Sequence, residues 1–102
     1  MGLCVFYEGD VPTQLVDEFK EVCVDELGNH PEEWDECGHF NTDGWNHRGW
    51  EGLLNAVKWI ASTHNVKTEL HCSFYEDEKD WTQSYYCDGD VITEECKEEE
   101  TW

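Results

Sequence analysis

The fold is decided by residues 46–61, which read NHRGWEGLLNAVKWIA. Apolar side chains recur there with the spacing of one helix face, at Trp50, Leu53, Leu54, Val57, Ile60 and Ala61. Asn46 is suited to cap the helix, and Glu51 to its first turn, where the helix dipole favours a carboxylate. The stretch therefore predicts a core helix that ends near residues 63–65, with strands from both sides of the chain packed on it.

The N-terminal part of the chain predicts a strand and a second helix. Residues 2–7 are a continuous apolar run, which is typical of a buried, central strand. Over residues 15–27 the apolar positions again follow helical spacing, and Gly28 is suited to the position just after the helix end. Between the two helices we expect a helical turn over residues 32–36 and a short strand over residues 37–41.

The C-terminal part predicts a three-stranded meander. Residues 66–75 alternate strictly between two faces, as in a half-buried strand, and residues 76–80 form a charged hairpin loop. The return strand covers residues 81–87. Asp88-Gly89 is a strong two-residue hairpin turn that leads into a last strand over residues 91–94.

These elements predict an α+β two-layer sandwich, with two helices on one face of a mainly antiparallel sheet of four to five strands. The topology is ferredoxin-like if the strand near Cys37 forms. We expect residues 1–94 to be a single domain and residues 95–102 to be an acidic, flexible tail.

Charge is the outlying feature of the composition. The 102 residues include 25 Asp and Glu against 6 Lys and Arg, which gives a formal net charge of −19. Nucleic acids and anionic membranes are poor partners for such a chain, because Lys and Arg supply the main binding free energy for both. Acidity could also serve solubility alone or adaptation to high salt, although the six Trp fit the second alternative poorly. The natural partner is a basic surface, of the kind that holds DNA or RNA.

The same composition bears on location and on the state of the six cysteines. No apolar run reaches the length of a membrane-spanning helix, and the N-terminus lacks the pattern of a signal peptide. We therefore expect a cytoplasmic protein of a host cell whose cysteines are reduced, several of them packed in the core. A disulfide framework stays open as an alternative.

Cysteine and histidine raise the question of a metal site or a reactive thiol. The sequence has no Cys-x-x-Cys and no His-x-x-x-His pair, and Cys23, Cys37 and His39 are its best available ligands. His71 and Cys72 are adjacent on a strand, so they are expected to point to opposite faces. No catalytic fingerprint occurs either. We therefore predict no metal, no cofactor and no enzymatic activity, with a small metal-binding or thiol-dependent enzyme or adaptor as the alternative.

The distribution of carboxylates indicates a binding face. Asp17, Glu21 and Asp25 form an i, i+4, i+8 row on the first helix, where like charges cost stability. The full candidate face consists of Asp17, Glu18, Glu21, Asp25, Glu32, Glu33, Asp35, Glu36, Glu76, Asp77, Glu78, Asp80, Asp88 and Asp90. Exposed aromatic side chains at its rim are expected to act as anchors, with Trp34, Tyr75 and Trp102 as candidates.

In size, charge and lack of catalytic motifs, the chain resembles the small acidic inhibitor proteins of phages and mobile elements. Some of these are DNA mimics of the anti-CRISPR or anti-restriction type. The segment from Gly44-Trp45 to Asp88-Gly89 also looks like the Api92-like proteins, a phage-borne ferredoxin-like family of unknown function. The first resemblance implies a non-enzymatic inhibitor whose acidic surface occupies the DNA- or RNA-binding site of a basic protein or complex in a bacterial host. The oligomeric state stays open, with a homodimer as one alternative.

Overall fold

The computed structural model of the chain describes residues 3–43, 49–76 and 79–100. The strands form one six-stranded sheet in the order β2-β3-β1-β4-β5-β6, and every neighbouring pair is antiparallel. The elements, in chain order, are β1 (Leu3–Asp10), α1 (Val16–Leu27), β2 (Glu33–Trp34), β3 (His39–Asp43), α2 (Gly49–His64), β4 (Lys67–Glu76), β5 (Lys79–Asp88) and β6 (Val91–Glu100). The two-layer α+β class is therefore confirmed, whereas the expectation of four to five strands is wrong.

The core helix is confirmed as α2, which ends at His64. The predicted apolar stripe faces inward, because Leu53, Leu54, Val57, Ile60 and Ala61 are all buried. The helix packs against α1 within the helix layer and against β4 and β5 of the sheet. The proposed cap Asn46 lies outside the described residues, as does the side chain of Trp50.

The second predicted helix is confirmed as α1, together with its C-terminal signal. Gly28 has a positive φ of 77°, a conformation that favours glycine, and its backbone N–H donates to the Val24 carbonyl oxygen at 2.8 Å. A short 3-10 turn, Thr13–Leu15, leads into the helix. Phe19 and Cys23 of α1 are fully buried, so the carboxylates on the opposite side of the helix face solvent.

β1 is central, as predicted, but it continues past the apolar run to Asp10. Glu8 and Asp10 face away from the helices, where charge is tolerated, and Gly9 faces the helix layer. A Cβ atom at Gly9 would lie 2.5 Å from the Glu69 carbonyl oxygen and 2.7 Å from the Phe40 ring. The missing side chain at Gly9 therefore lets Phe40 reach across β1 into the core.

The strand expected near Cys37 is confirmed as β3, but the helical turn predicted over residues 32–36 is wrong. Glu33 and Trp34 pair instead with Asn41 and Phe40 as β2, at the edge of the sheet. Packing explains the difference, because the Trp34 ring lies 5.0 Å from the Phe40 ring and 5.8 Å from the Phe19 ring, between centroids. A strand places Trp34 on both aromatic rings, and this long-range contact outweighs the local preference.

The C-terminal meander and the Asp88-Gly89 turn are confirmed, with longer strands than predicted. Glu76 and Lys79 already pair between β4 and β5, so the hairpin loop is shorter than residues 76–80. β6 pairs with β5 up to Glu100, although the sequence predicted a strand only to residue 94 and a flexible tail beyond it. Cross-strand pairing with β5 accounts for the extra length, which the acidic composition of this stretch did not indicate.

The helices cover one face of the sheet. Alternate strand residues are buried beneath them, among them Phe40, Thr68, Leu70, Cys72 and Tyr85. The residues between them project from the other face, so His71 and Cys72 do point to opposite sides. No helix in the described part of the chain is long and apolar enough to cross a membrane.

Candidate functional site

The acidic row on α1 is positioned by the burial of Phe19 and Cys23, which turns the opposite side of the helix outward. Asp17, Glu21 and Asp25 are all exposed there. Successive members of the row are one helical turn apart, about 6 Å in rise along the axis. We refer to Asp17, Glu21 and Asp25 as the α1 row.

Glu18 lies beside the row but has a partner. Its carboxylate Oε2 is 2.7 Å from His64 Nε2 at the end of α2, and both side chains are about one third exposed. Trp59, 45% exposed on α2, packs edge-on against the same histidine, with 6.4 Å between ring centroids. Trp59 is absent both from the predicted apolar stripe and from the candidate anchors named from the sequence. The structure therefore adds an exposed aromatic side chain against His64, the partner of Glu18.

Asp90 comes from the other end of the chain to the same helix terminus. The Ser62 hydroxyl on α2 donates to Asp90 Oδ1, which holds the β5–β6 turn against the end of that helix. Glu18 and Asp90 therefore both contact the last turns of α2, through His64 and Ser62. Two carboxylates of distant sequence position are thus tied to the end of α2, one from α1 and one from the β5–β6 turn.

The cluster at residues 32–36 lies elsewhere, at the β2 edge of the sheet, which is the opposite edge from β6. Glu32, Glu33 and Glu36 are exposed there. Asp35 has a structural role, because its Oδ1 accepts the backbone N–H groups of His39 at 3.0 Å and Cys37 at 2.8 Å. These two hydrogen bonds hold the pKa of Asp35 below its usual value.

Trp34 is not an exposed anchor. It packs on Phe19 and Phe40, its indole N–H donates to the Pro31 carbonyl oxygen at 2.8 Å, and the Lys20 ammonium lies 5.7 Å from its ring centroid. Tyr75 is exposed, but it projects from the helix-free face of the sheet. Trp102 lies outside the described residues, as do Asp77 and Glu78 and the side chains of Glu76 and Asp80. Asp88, at the end of β5, is exposed.

Within the described part of the chain, no exposed carboxylate forms an ion pair with Lys or Arg. Every ion pair among the described residues joins a carboxylate to a histidine, and none involves Lys or Arg. Lys20 is the basic residue beside the α1 row, where it lines a surface groove of about 450 Å³ together with Glu21, Val24, Asp25 and His30. The negative field of the row is therefore neutralised little from within the chain.

Three of the described cysteines, Cys23, Cys72 and Cys87, take up positions that do not favour a metal or a reactive thiol. Cys23 and Cys72 are buried, and burial raises the pKa of each thiol to about 12. Burial also raises the pKa of the Cys87 thiol. A thiol that keeps its proton is a poor nucleophile and a poor metal ligand.

The proposed ligands Cys23, Cys37 and His39 are not brought together. Cys23 is in the core under α1, whereas Cys37 is exposed and His39 projects from the helix-free face of the sheet. Among the described residues, no group of three or more His, Cys, Asp or Glu side chains is placed to hold a metal ion.

Comparison of the chain with protein-family models finds no match, and neither curated proteins nor solved structures match it. The chemistry of the surface is therefore the basis on which a function is proposed.

Proposed function

We propose that this protein is a non-enzymatic inhibitor that uses its acidic surface as a nucleic-acid mimic. Its partner is a basic protein or complex of a bacterial host, such as a CRISPR-Cas effector or a restriction enzyme, and the inhibitor occupies the site that holds DNA or RNA. The observation that carries this proposal is the exposed α1 row, which has no Lys or Arg ion pair within the described residues. Self-repulsion in such a row is offset when a basic partner binds it.

The α1 row carries like charges at regular intervals, as a phosphate backbone does. The row presents a carboxylate about every 6 Å, whereas one DNA strand carries a phosphate about every 3.4 Å of rise, so the row has the wider spacing. Glu18 adds a carboxylate next to Asp17 on α1, and Asp90 adds one at the end of α2. These groups increase the negative charge on the helix side of the molecule.

Trp59 supplies the apolar contact that a stable complex needs in addition to charge. Charged rims steer association, but buried aromatic side chains supply much of the binding free energy in protein complexes. Trp59 is 45% exposed next to His64, which in turn contacts Glu18. An exposed aromatic side chain near carboxylates fits a basic cleft that also has an apolar surface.

For the fold, we propose that the first part of the chain has ferredoxin-like topology. The elements from β1 to β4 follow the order strand, helix, strand, strand, helix, strand, and their places in the sheet run β4-β1-β3-β2. This split arrangement, in which β3 lies between β1 and β2, supports the assignment. β5 and β6 extend the sheet beyond β4.

The proposed function is tested by affinity capture from bacterial lysate with the protein and a row variant. Substitution of Asp17, Glu21 and Asp25 by Lys should abolish capture of the partner, because it turns the acidic row basic. The captured proteins should be nucleic-acid-binding, should elute as the salt concentration rises, and should be released by added duplex DNA.

The matched control has the same change of charge outside the row, with Glu26, Glu51 and Glu95 replaced by Lys; all three are exposed. The control should keep the partner. Equal loss with both triple variants would indicate a general effect of net charge. A complex that resists both salt and competing DNA would refute nucleic-acid mimicry.

A further inference from the structure

The sheet has a second surface, on the side without helices, that the proposed function does not use. Along β1 this face carries Phe6, Glu8 and Asp10, and along β4 it carries Glu69, His71 and Tyr75. The basic residues of this face lie at its margins: Lys67 at the start of β4 and Lys97 on β6. The centre of the face is therefore acidic and aromatic. We refer to it as the open face.

Strand register gathers the carboxylates of the open face around two histidines. Asp10 lies between His39 and Glu69 in the register, and Glu8 lies next to His71. His39 Nδ1 is 3.1 Å from Asp10 Oδ1, and its Nε2 is 3.8 Å from Glu8 Oε2. His71 Nε2 is 3.4 Å from Glu69 Oε1, and its Nδ1 shares a hydrogen bond with the Ser84 hydroxyl at 2.9 Å.

The Asp10 carboxylate is oriented by its hydrogen bond to His39, whereas Glu8 and Glu69 lie within ion-pair distance of a histidine. The second oxygen atom of each carboxylate has no hydrogen-bond partner among the residues that the structure describes. These oxygen atoms are available to an external donor, and His39 limits the entropy that Asp10 loses when one binds.

Aromatic rings border the carboxylates on the same face. Phe6 is 39% exposed and Tyr75 is 42% exposed, and the two rings meet edge to face with 5.5 Å between centroids. Tyr86 packs edge-on against His71 at 5.4 Å. These aromatic side chains offer apolar contact area next to the carboxylates of the open face.

We propose that the open face is a second docking surface, which binds an extended peptide segment carrying arginine. The planar guanidinium group donates two parallel hydrogen bonds to a carboxylate and stacks on aromatic rings, so it matches both parts of this face. Alternate side chains of an extended segment are about 6.6 Å apart, as are Glu8 and Asp10 along β1. A second copy of this chain fits poorly, because it brings the same carboxylates and a net charge of −19.

This inference goes beyond the proposed function, because it concerns the opposite side of the sheet from the α1 row. Its test uses two short probes, the acetylated and amidated peptides Arg-Leu-Arg-Leu-Arg and Lys-Leu-Lys-Leu-Lys, with fluorescent labels. Their dissociation constants are measured by anisotropy near physiological salt, where weak surface attraction is largely screened.

Two double variants with the same change of charge separate the two surfaces. Glu8→Gln with Asp10→Asn alters the open face, and Asp17→Asn with Glu21→Asn alters the α1 row. The open-face pair should weaken binding of the arginine peptide at least about tenfold, and the row pair should leave it within about threefold. Tyr75→Ala, at an exposed position, should weaken the arginine peptide several-fold and leave the weaker binding of the lysine peptide unchanged.

Two results of these binding measurements would overturn the proposal or its arginine specificity. Equal weakening by the two double variants would overturn the proposal in favour of nonspecific attraction to the acidic chain. Equal affinity for the two peptides, together with no effect of Tyr75→Ala, would overturn the arginine specificity. Failure of this test leaves lysate capture by the α1 row intact, and loss of that capture leaves peptide binding by the open face intact.

Discussion

The buried thiols show how single residues of this chain serve packing. Cys23 on α1 and Cys72 on β4 are completely buried within the one hydrophobic core. Burial raises the pKa of both thiols to about 12, since a thiolate loses its hydration there. Cys37 and Cys96 are exposed, so the cysteines fall into two chemically different groups.

These two raised pKa values predict loss of stability in alkaline solution. Unfolded thiols lose their protons from about pH 9, whereas the folded thiols keep theirs to about pH 12, so deprotonation favours only the unfolded state. The free energy of unfolding should be unaffected below pH 9. Above it, each thiol should lower this free energy by about 1.4 kcal/mol per pH unit.

Urea unfolding at a series of pH values between about 8 and 10.5 measures this slope. A variant with Cys23→Ala and Cys72→Ala starts from lower stability because of the cavities, but its pH slope should be shallower. Cys87 and Tyr85, whose pKa values are also raised chiefly by burial, contribute a remaining slope in both proteins. Identical slopes in the two proteins would contradict the assignment of the thiols.

Among the elements, β4 and α2 are joined by a hydrogen bond that crosses the two layers. The Thr68 hydroxyl on β4 donates to the Val57 carbonyl oxygen on α2 at 3.0 Å, in a fully buried position. Thr42 on β3 is also buried, but its hydroxyl has no hydrogen-bond partner among the residues that the structure describes. The two threonines therefore make opposite contributions to the packing of helices on the sheet.

Replacement of each threonine by valine should separate these contributions. Thr68→Val should lower the free energy of unfolding by about 1 kcal/mol, because a buried hydrogen bond between layers is lost. Thr42→Val should leave the stability unchanged or raise it, because an unsatisfied buried hydroxyl is removed. Chemical denaturation of both variants measures the difference, and equal losses would show that the layers are not linked through Thr68.

For the whole molecule, the main constraint is a net charge of −19 on a compact domain with a radius of gyration of 13.6 Å. One hydrophobic core, built from both helices and most strands, has to offset the repulsion. The repulsion is reduced by salt and by a basic partner, and both act on the same exposed carboxylates. Stability and binding are therefore coupled through charge.

This coupling predicts that salt stabilises the protein. The melting temperature should rise by several degrees between about 0.02 and 0.5 M NaCl, because screening weakens the repulsion in the folded state. The variant with Lys at Asp17, Glu21 and Asp25 should show a smaller rise. Calorimetry of both proteins in matched buffers measures the effect, and a melting temperature independent of salt would rule out self-repulsion as a significant cost.

Local periodicity by itself determined α1, α2 and the C-terminal meander, since helix and strand faces repeat within a few residues along the chain. It also predicted the exposure of the α1 row, because burial of Phe19 and Cys23 dictates which side of α1 faces solvent. The strand at Glu33–Trp34 and the extension of β6 to Glu100 were not predictable in this way. Both depend on pairing with a distant or neighbouring strand, which contributes free energy that no local pattern records.

The same distinction applies to the candidate surfaces. The sequence indicated that carboxylates matter, but only the tertiary structure decided which partners they have. Glu18 and Asp90 contact the end of α2, and Asp35 accepts backbone N–H groups in a turn. The open face was invisible in the sequence, because Asp10, His39 and Glu69 come from three strands. Strand order and register set such neighbours, and these follow from packing of the whole core.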